Sequence, residues 1–309
     1  MYIHLLLIVV SIFIPIGLLL VVRSFTMQIL GDLRVLRILH YVVLAGLGMA
    51  LFFKDYQLFI RFLQGDRALL FPLFAIALTY AAVFAIVTNN IEDLEADKLS
   101  NPRRPLVTGR VNRFSYLMTG LGCLVYALIL SLLAQIEMFL AILFISLGYY
   151  VYSCRPFRLK RIPFLAKLFI GINSLVVTIG GYVLAGGQLK DFPLLWIIFI
   201  LVPLTLSANF VDLKDTEGDG STGVRTLPVM WGEKKARFFI AFFTVCTYIM
   251  AGIILDITWL YPLNVLMAII HCYFLYRKPY DEKPVFLIYI TALVSLNIIL
   301  LFHKQLSSS

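Results

Sequence analysis

The chain has 309 residues, of which 61% are hydrophobic and 14% are charged, and its mean hydropathy is +0.94. Soluble domains are only about half apolar, so this composition excludes an ordinary soluble domain and predicts an integral membrane protein. The net charge of +9 does not indicate nucleic-acid binding, because the basic residues lie beside the ends of apolar segments rather than in one patch.

Ten apolar segments are predicted to cross the membrane as helices. The hydrocarbon core of a bilayer needs about 20 apolar residues per helix, and loops are excluded from it because unpaired backbone groups are too costly there. The first segment lacks the basic start and the small-residue cleavage site of a signal peptide, so it is interpreted as a retained helix. In chain order the segments are Ile3 to Val22, Ile38 to Phe53, Ala68 to Ile91, Tyr116 to Leu133, Met138 to Tyr152, Phe164 to Ala185, Phe192 to Val211, Phe238 to Leu255, Trp259 to Tyr276 and Val285 to Phe302.

The basic residues are distributed unevenly between the two sides of the membrane. With the N-terminus outside, 20 of the 26 Lys and Arg residues fall in the connections on one side. Cytoplasmic loops collect Lys and Arg, so this side is predicted to be cytoplasmic. The protein is predicted to lie in the inner or plasma membrane of its cell.

The cysteine and histidine residues do not indicate a transition-metal site. They are scattered along the chain without the close spacing of zinc or iron ligands, and three of the four cysteines lie within predicted spans. We interpret the cysteines as packing residues. The residues concerned are Cys123, Cys154, Cys246, Cys272, His4, His40, His271 and His303.

A first acidic window follows the third apolar segment. Asn89, Asp93 and Asp97 recur every four residues, so on a helix they lie about 40° apart and share one face. Like charges at this spacing repel each other, and desolvation near lipid raises the cost further. The window is therefore expected to hold a cation.

A second acidic window follows the seventh apolar segment. Asp212, Asp215 and Asp219 are spaced three and four residues apart, and seven residues of helix return Asp219 to within about 20° of Asp212. On the predicted topology both windows lie at the inside ends of their segments. A single acidic cluster at a helix end is usually a solvated cap, whereas two clusters with matched spacing favour a functional site.

The side chains of the two windows offer only oxygen ligands. Carboxylate and amide oxygens without nearby His or Cys favour Mg²⁺ or Ca²⁺, and Mg²⁺ prefers one or two carboxylates together with phosphate oxygens. The windows are therefore predicted to hold Mg²⁺ bridged to a diphosphate, with basic side chains on the remaining phosphate oxygens. The predicted metal ligands are Asn89, Asp93, Asp97, Asp212, Asp215 and Asp219, and the predicted diphosphate contacts are Asn89, Lys98, Arg104, Arg158, Lys160 and Arg225.

Three motifs resemble those of the UbiA superfamily of intramembrane prenyltransferases. The first family signature, Asn-x3-Asp-x3-Asp with a trailing Arg-Pro-Leu, is matched by the first acidic window and residues 104–106. The second signature, Asp-x2-Asp-x3-Asp, is matched by the second window, and "TLPV" follows at 226–229. A third element reads "YSCRPFRLK" from Tyr152 to Lys160. The order and spacing agree over residues 38–302.

The resemblance implies an all-α, multi-span bundle of nine helices around a central cavity, formed by residues 38–309. Residues 1–37 would then be an extra N-terminal transmembrane helix with its connection. The family transfers a polyprenyl group from its diphosphate to an aromatic or other lipid-precursor acceptor, with Mg²⁺ and through a carbocation-like step. The resemblance assigns catalytic roles, on the cytoplasmic side, to Asp93, Asp97, Asp215, Asp219 and Tyr152.

A multi-span transporter or divalent-cation channel is the main alternative, since acids inside a membrane often mark ion routes. Against it, the acids lie at segment ends among basic residues rather than at midspan. A CDP-alcohol phosphotransferase is also multi-span and acid-rich, but its Asp-x2-Asp-Gly-x2-Ala-Arg pattern is not matched at Asp215. The prenyltransferase interpretation is therefore preferred, with the acceptor and the prenyl length left open.

Overall fold

The computed structural model describes residues 2–221, 223–258 and 260–302, without the side chain of Ser100. Within these ranges the chain forms α-helices and short 3-10 helices and contains no strand, which confirms the all-α class. The α-helices are α1 Tyr2–Val21, α2 Arg23–Gly31, α3 Val35–Phe53, α4 Tyr56–Leu63, α5 Leu70–Glu92, α6 Leu94–Ser100, α7 Arg113–Ala134, α8 Ile136–Ser153, α9 Leu165–Ala185, α10 Leu194–Leu206, α11 Thr216–Ser221, α12 Leu227–Trp231, α13 Glu233–Leu255, α14 Leu260–Tyr276 and α15 Glu282–Leu301. The 3-10 helices are Asp66–Leu69, Leu159–Arg161, Leu189–Asp191 and Ser207–Asp212.

In the described part of the chain, nine helices are long and apolar enough to cross a membrane. They are α1, α3, α5 with the 3-10 turn before it, α7, α8, α9, α10 with the 3-10 turn after it, α13 and α15. Helix α14 is a shorter apolar helix of 17 residues. These ten helices correspond to the ten predicted segments, so a multi-pass integral membrane protein is confirmed. Trp259, the predicted start of the ninth segment, lies outside the described residues.

The chain forms two compact units. The first consists of residues 2–42 and 61–158, and the second of residues 43–60 and 159–302. The boundary between them falls inside α3, after residue 42. The assignment of residues 1–37 as a separate addition to the bundle stays a prediction.

In the first unit, α1, α7 and α8 all pack against α5. Gly120 of α7 lies so close to α5 that a Cβ at this position would come within 2.9 Å of the Cβ of Val87. Ser11 of α1 is hydrogen-bonded through its hydroxyl to Tyr126 at 2.8 Å, and its carbonyl oxygen accepts from the Tyr80 hydroxyl at 2.9 Å. These polar contacts attach α1 to the unit although only 6% of its apolar window is buried.

In the second unit, the part of α3 after residue 42 approaches α9 to backbone contact. A Cβ at Gly48 would lie 1.8 Å from the carbonyl oxygen of Thr178, and a Cβ at Gly181 would lie 1.9 Å from that of Ala45. Small residues permit such close helix contacts in membranes. Helix α10 packs on α9, α13 packs on α10 and α14, and α15 packs on α14. The contact between α3 and α9 therefore depends on glycine at both positions.

Candidate active site

The first acidic window lies where α5 ends and α6 begins. Asp93 caps both helices, with φ −97° and ψ 9°. The backbone N–H of Asp93 donates to the carbonyl oxygen of Asn89 at 2.9 Å, and that of Asp97 donates to the carbonyl oxygen of Asp93 at 2.8 Å. The predicted four-residue spacing is therefore present as backbone hydrogen bonds, although the helix is interrupted at Asp93.

The carboxylate of Asp97 is buried and held by two donors. Nη1 of Arg104 contacts its Oδ2, and Nδ2 of Asn101 donates to its Oδ1 at 3.1 Å. Burial raises the pKa of Asp97 above its ordinary value, while the attraction of Arg104 opposes that rise. A carboxylate in this environment is stabilised by a nearby cation, and Arg104 provides one.

Asp93 is paired with Arg158, which comes from the third sequence motif. Nη2 of Arg158 donates to Oδ1 of Asp93 at 3.0 Å and to the carbonyl oxygen of Glu92 at 3.1 Å. Arg158 is buried, and its Nε has no partner among the residues that the structure describes. The hydroxyl of Ser153 donates to Oδ1 of Asn89 at 3.2 Å. The third motif therefore lies against the first window, and Arg158 retains an N–H group that can bind an anion.

Asn90, next to the first predicted ligand of the window, joins Arg104 to Tyr116 of α7 and to residues just before α3. Its Oδ1 accepts from Nη1 of Arg104 at 3.0 Å and from Nη2 of Arg34 at 3.1 Å. Its Nδ2 donates to Oδ2 of Asp32 and to the hydroxyl of Tyr116, both at 2.9 Å. The Tyr116 hydroxyl also donates to Asp32. Burial, followed by the repulsion of neighbouring arginines, lowers the pKa of Arg34 to about 10.

The second acidic window begins in the 3-10 helix Ser207–Asp212 and continues into α11. Nζ of Lys167 contacts Oδ1 of Asp212 at 2.7 Å, and these side chains are only 5% and 13% exposed. The other oxygen of Asp212, Oδ2, is buried without a hydrogen-bond partner in the described part of the chain. The backbone N–H of Asp215 donates to Asp212 at 3.2 Å, and that of Asp219 donates to Asp215 at 2.8 Å. The three aspartates of this window are therefore linked, as in the first window, by hydrogen bonds between their backbone groups.

The segment around Asp212 is attached to the connection between α14 and α15. The Tyr280 hydroxyl donates to the carbonyl oxygen of Phe210 at 2.7 Å, and Nζ of Lys214 pairs with Oε1 of Glu282 at 2.5 Å. Burial raises the pKa of Tyr280 above its ordinary value, and its protonated hydroxyl is the donor in this bond. Both contacts restrict the backbone that presents the second window.

Two predicted site residues near the first window contact protein groups. Nζ of Lys98 pairs with Oε1 of Glu95 at 2.8 Å, and these side chains are 53% and 79% exposed. The ring of Tyr152 stands edge-on to that of Tyr149, with centroids 6.4 Å apart. The phosphate contact of Lys98 and the catalytic role of Tyr152 stay predictions.

The remaining predicted phosphate contacts belong to the second unit. Lys160 is half-buried in the 3-10 helix Leu159–Arg161, and Arg225 is exposed between α11 and α12. The two acidic windows belong to different compact units. A shared site formed by both windows therefore stays a prediction.

The ligand set of the two windows fits Mg²⁺. Within the described ranges, no group of three His, Cys, Asp or Glu side chains is arranged to hold a metal ion. Mg²⁺ does not require such a cage, because it binds proteins through one or two carboxylates and completes its shell with waters and phosphate oxygens. Oδ2 of Asp212 is a buried oxygen that can take such a ligand role. The residues therefore suit Mg²⁺ bound together with a diphosphate.

The chain belongs to the UbiA prenyltransferase family, whose model matches residues 56–293. The match includes both acidic windows and the third motif, which confirms the resemblance found in the sequence. It begins after α3, so α1 lies outside the matched region.

Two curated relatives are digeranylgeranylglyceryl phosphate synthases. The one from Methanosarcina mazei is 32% identical over an alignment of 181 residues, which covers 54% of this chain and 59% of the relative. The one from Sulfolobus acidocaldarius is 33% identical over an alignment of 199 residues, which covers 60% of this chain and 63% of the relative. The chain thus spans less than two thirds of the length of each of these relatives.

A solved structure has the same fold. A UbiA homolog from Archaeoglobus fulgidus, bound to GPP and Mg²⁺, matches with a TM-score of 0.67 at 17% identity. The match covers 89% of this chain and 99% of that chain. It confirms the predicted UbiA-like fold class.

Proposed function

We propose that the protein is a membrane prenyltransferase that uses Mg²⁺ to transfer a polyprenyl group from its diphosphate to a lipid-precursor acceptor. The observation that carries the proposal is that both acidic windows pair carboxylates with basic side chains. A metal diphosphate needs this combination, because carboxylates bind the metal and cations bind phosphate oxygens. The pairs are Asp93 with Arg158, Asp97 with Arg104, and Asp212 with Lys167.

In this proposal the acids of the two windows hold the metal. The ligands are Asn89, Asp93, Asp97, Asp212, Asp215 and Asp219. When bound, Mg²⁺ supplies positive charge that stabilises the departing diphosphate. The family membership and the homologous structure that contains GPP and Mg²⁺ support this assignment.

The basic residues bind the diphosphate and keep its charge balanced as the bond to the prenyl group breaks. Arg158 is suited to this role, because its Nε is buried and unpartnered among the described residues. Arg104 is suited to it because its guanidinium adjoins Asp97. Lys98, Lys160 and Arg225 are additional proposed contacts. Tyr152 offers an aromatic face that can stabilise positive charge on the prenyl group.

The acceptor that we propose to test first is a geranylgeranylglyceryl phosphate. The support is that both relatives described above are digeranylgeranylglyceryl phosphate synthases. Aromatic acceptors are the second class to test. We also propose that the site faces the cytoplasm, since 20 of the 26 Lys and Arg residues lie in connections assigned to that side.

The experiment uses purified protein in lipid nanodiscs with labelled geranylgeranyl diphosphate, Mg²⁺ and a panel of acceptors. We expect diphosphate release together with a prenylated product. Both should stop when EDTA removes the metal and resume when Mg²⁺ is added in excess. The assay is repeated with shorter and longer prenyl diphosphates. Absence of product with every combination of donor and acceptor would overturn the proposal.

Ion transport is a measurable alternative, although membership of the UbiA family does not favour it. The same protein in sealed vesicles can be tested for uptake of divalent cations. Metal-dependent flux without prenylated product would support transport instead of prenyl transfer.

A further inference from the structure

The side chain of Asn90 uses its entire hydrogen-bonding capacity. An asparagine amide has two N–H donors and an oxygen with two lone pairs. Asn90 is only 2% exposed, and each of these four positions has a partner. The partners are Arg34 and Arg104 on the oxygen, and Asp32 and Tyr116 on the nitrogen.

Asparagine is the side chain that meets these requirements in the available space. Aspartate has the same shape but lacks both donors, so it would place a second carboxylate against Asp32. Leucine has similar volume but would leave the surrounding arginines and Asp32 without these bonds. Glutamine carries the same amide on a side chain longer by one methylene, which a buried site does not accommodate without rearrangement.

The contact with Asn90 differs from the contact that Arg104 makes with Asp97. Nη1 of Arg104 donates to Oδ1 of Asn90 at 3.0 Å and also contacts Oδ2 of Asp97. Asp97 is a proposed metal ligand, so Arg104 and the metal ion compete for the same carboxylate. The amide oxygen of Asn90 has no such second role, and its orientation is fixed by Asp32 and Tyr116.

We propose that Asn90 is a positioning residue that holds the guanidinium of Arg104 in place for the diphosphate, whether or not Asp97 is engaged elsewhere. The inference rests on the proposed function, because it assumes that Arg104 binds phosphate oxygens. Arg34 bonds to the same amide oxygen, and Asp32 on the opposite side of the amide offsets one of the two positive charges. When Asp97 turns to the metal instead of Arg104, one cationic group therefore remains available to an anion.

The test exchanges the amide of Asn90 with the carboxylate of Asp32, which face each other in the network. Asn90→Asp removes both donors and adds a charge. The double variant Asn90→Asp with Asp32→Asn restores the net charge and an amide donor facing a carboxylate. Asn112→Asp is the matched control, because Asn112 accepts a bond from the backbone N–H of Phe114, and an aspartate can do the same.

Two quantities are measured for each variant in nanodiscs. The first is the rise in melting temperature on adding Mg²⁺ with inorganic pyrophosphate, which does not depend on turnover. The second is the pair of KM values, one for the prenyl diphosphate and one for the acceptor. For Asn90→Asp we expect a much smaller thermal rise and a KM for the diphosphate raised about tenfold. The reason is that residue 90 loses its donated bonds to Asp32 and Tyr116, which fix its orientation toward Arg104. The double variant should recover most of the rise in melting temperature and most of the original KM. Asn112→Asp should match the wild type in both quantities.

The outcomes separate this inference from the proposed function. If Asn90→Asp lowers the melting temperature without ligand but retains the normal thermal rise and KM, Asn90 is only structural and the inference is wrong. Failure of the exchange to restore binding would also overturn it.

If Asn90→Asp does not fold, Tyr116→Phe provides the milder test and should reduce the thermal rise by a smaller factor. An unchanged rise in that variant would contradict the inference. A wild type that binds pyrophosphate but forms no product would instead contradict prenyl transfer.

Discussion

The two acidic windows are held by different kinds of contact. In the first, Asp97 is paired with Arg104, and a fully bonded Asn90 holds that arginine. In the second, Asp212 is paired with Lys167, a single buried lysine on a membrane-spanning helix, and one oxygen of Asp212 has no partner among the described residues. Arginine binds through a rigid fork of donors, whereas lysine acts as a point charge. Asp97 is therefore oriented through a network of side chains, whereas the carboxylate of Asp212 is oriented by its ion pair with Lys167.

The two windows are therefore expected to respond differently to the loss of a contact. Loss of one contact in a network leaves other donors to satisfy the carboxylate. Loss of the partner of a single buried ion pair leaves an uncompensated charge, which is strongly unfavourable. We expect the first window to depend on several weak contributions and the second on Lys167.

The largest expected effect is loss of turnover when either window loses its central acid. Asp93→Ala and Asp215→Ala should each reduce the turnover rate at least about a hundredfold, because each removes a proposed ligand of the Mg²⁺ whose positive charge would stabilise the leaving diphosphate. Turnover of labelled diphosphate measures the effect. Glu95→Ala is the control, since Glu95 is exposed and pairs with Lys98. Near-normal turnover in either aspartate variant would show that its window is dispensable.

The next largest effect is a difference between the two ion pairs in how much each contributes to the free energy of unfolding. Lys167→Met should lower the free energy of unfolding by about 3 kcal/mol, because it leaves the carboxylate of Asp212 buried and unpaired. Arg104→Met should cost less, because Asn101 still donates to Asp97. Denaturant unfolding in detergent micelles measures both changes. Equal losses in the two variants would contradict the difference described between the windows.

A smaller effect is expected when the hydrogen bond that holds the backbone before Asp212 is removed. Tyr280→Phe removes the hydrogen bond to the carbonyl oxygen of Phe210 and should cost about 1 kcal/mol of unfolding free energy. We also expect a modest fall in turnover, because the segment leading to Asp212 becomes less restricted. Tyr276→Phe is the control, since Tyr276 is 46% exposed at the end of α14. A loss no larger than that of the control would show that Tyr280 does not stabilise this segment.

The smallest effect is expected at Lys98, an exposed residue of the first window. Lys98→Ala removes an exposed ion pair with Glu95 and should change the unfolding free energy by less than about 0.5 kcal/mol. We expect the KM for the prenyl diphosphate to rise by no more than about threefold, as for a weak, screened charge. Steady-state kinetics measures it. A rise of tenfold or more would indicate that Lys98 leaves Glu95 to bind the diphosphate.

The sequence predicted the helices and the acidic residues because both depend on local patterns. Long apolar runs define membrane spans by length alone, and the spacing of Asn89, Asp93 and Asp97 reports one helix face. The interruption at Asp93 was not predictable, since no Gly or Pro marks it.

The polar network behind the first window could not be predicted from the sequence. Asn90 adjoins a predicted ligand, but its partners Asp32 and Tyr116 lie 58 and 26 residues away along the chain. Lys167 lies near the start of the predicted segment Phe164 to Ala185, while its partner Asp212 lies 45 residues further on. Such pairs depend on which helices pack together, and hydropathy does not contain that information.

The glycine contact between α3 and α9 limits how this protein can be engineered for heat resistance. Replacing a helical glycine by alanine ordinarily stabilises a protein by about 0.4–1 kcal/mol, because the unfolded chain loses conformational freedom. At Gly48 and Gly181 the added methyl group would overlap carbonyl oxygens of the neighbouring helix, at 1.8 Å and 1.9 Å. A thermostabilised variant must therefore keep both glycines and gain its improvement elsewhere, for instance at Gly122, where a methyl group meets nothing within 4 Å.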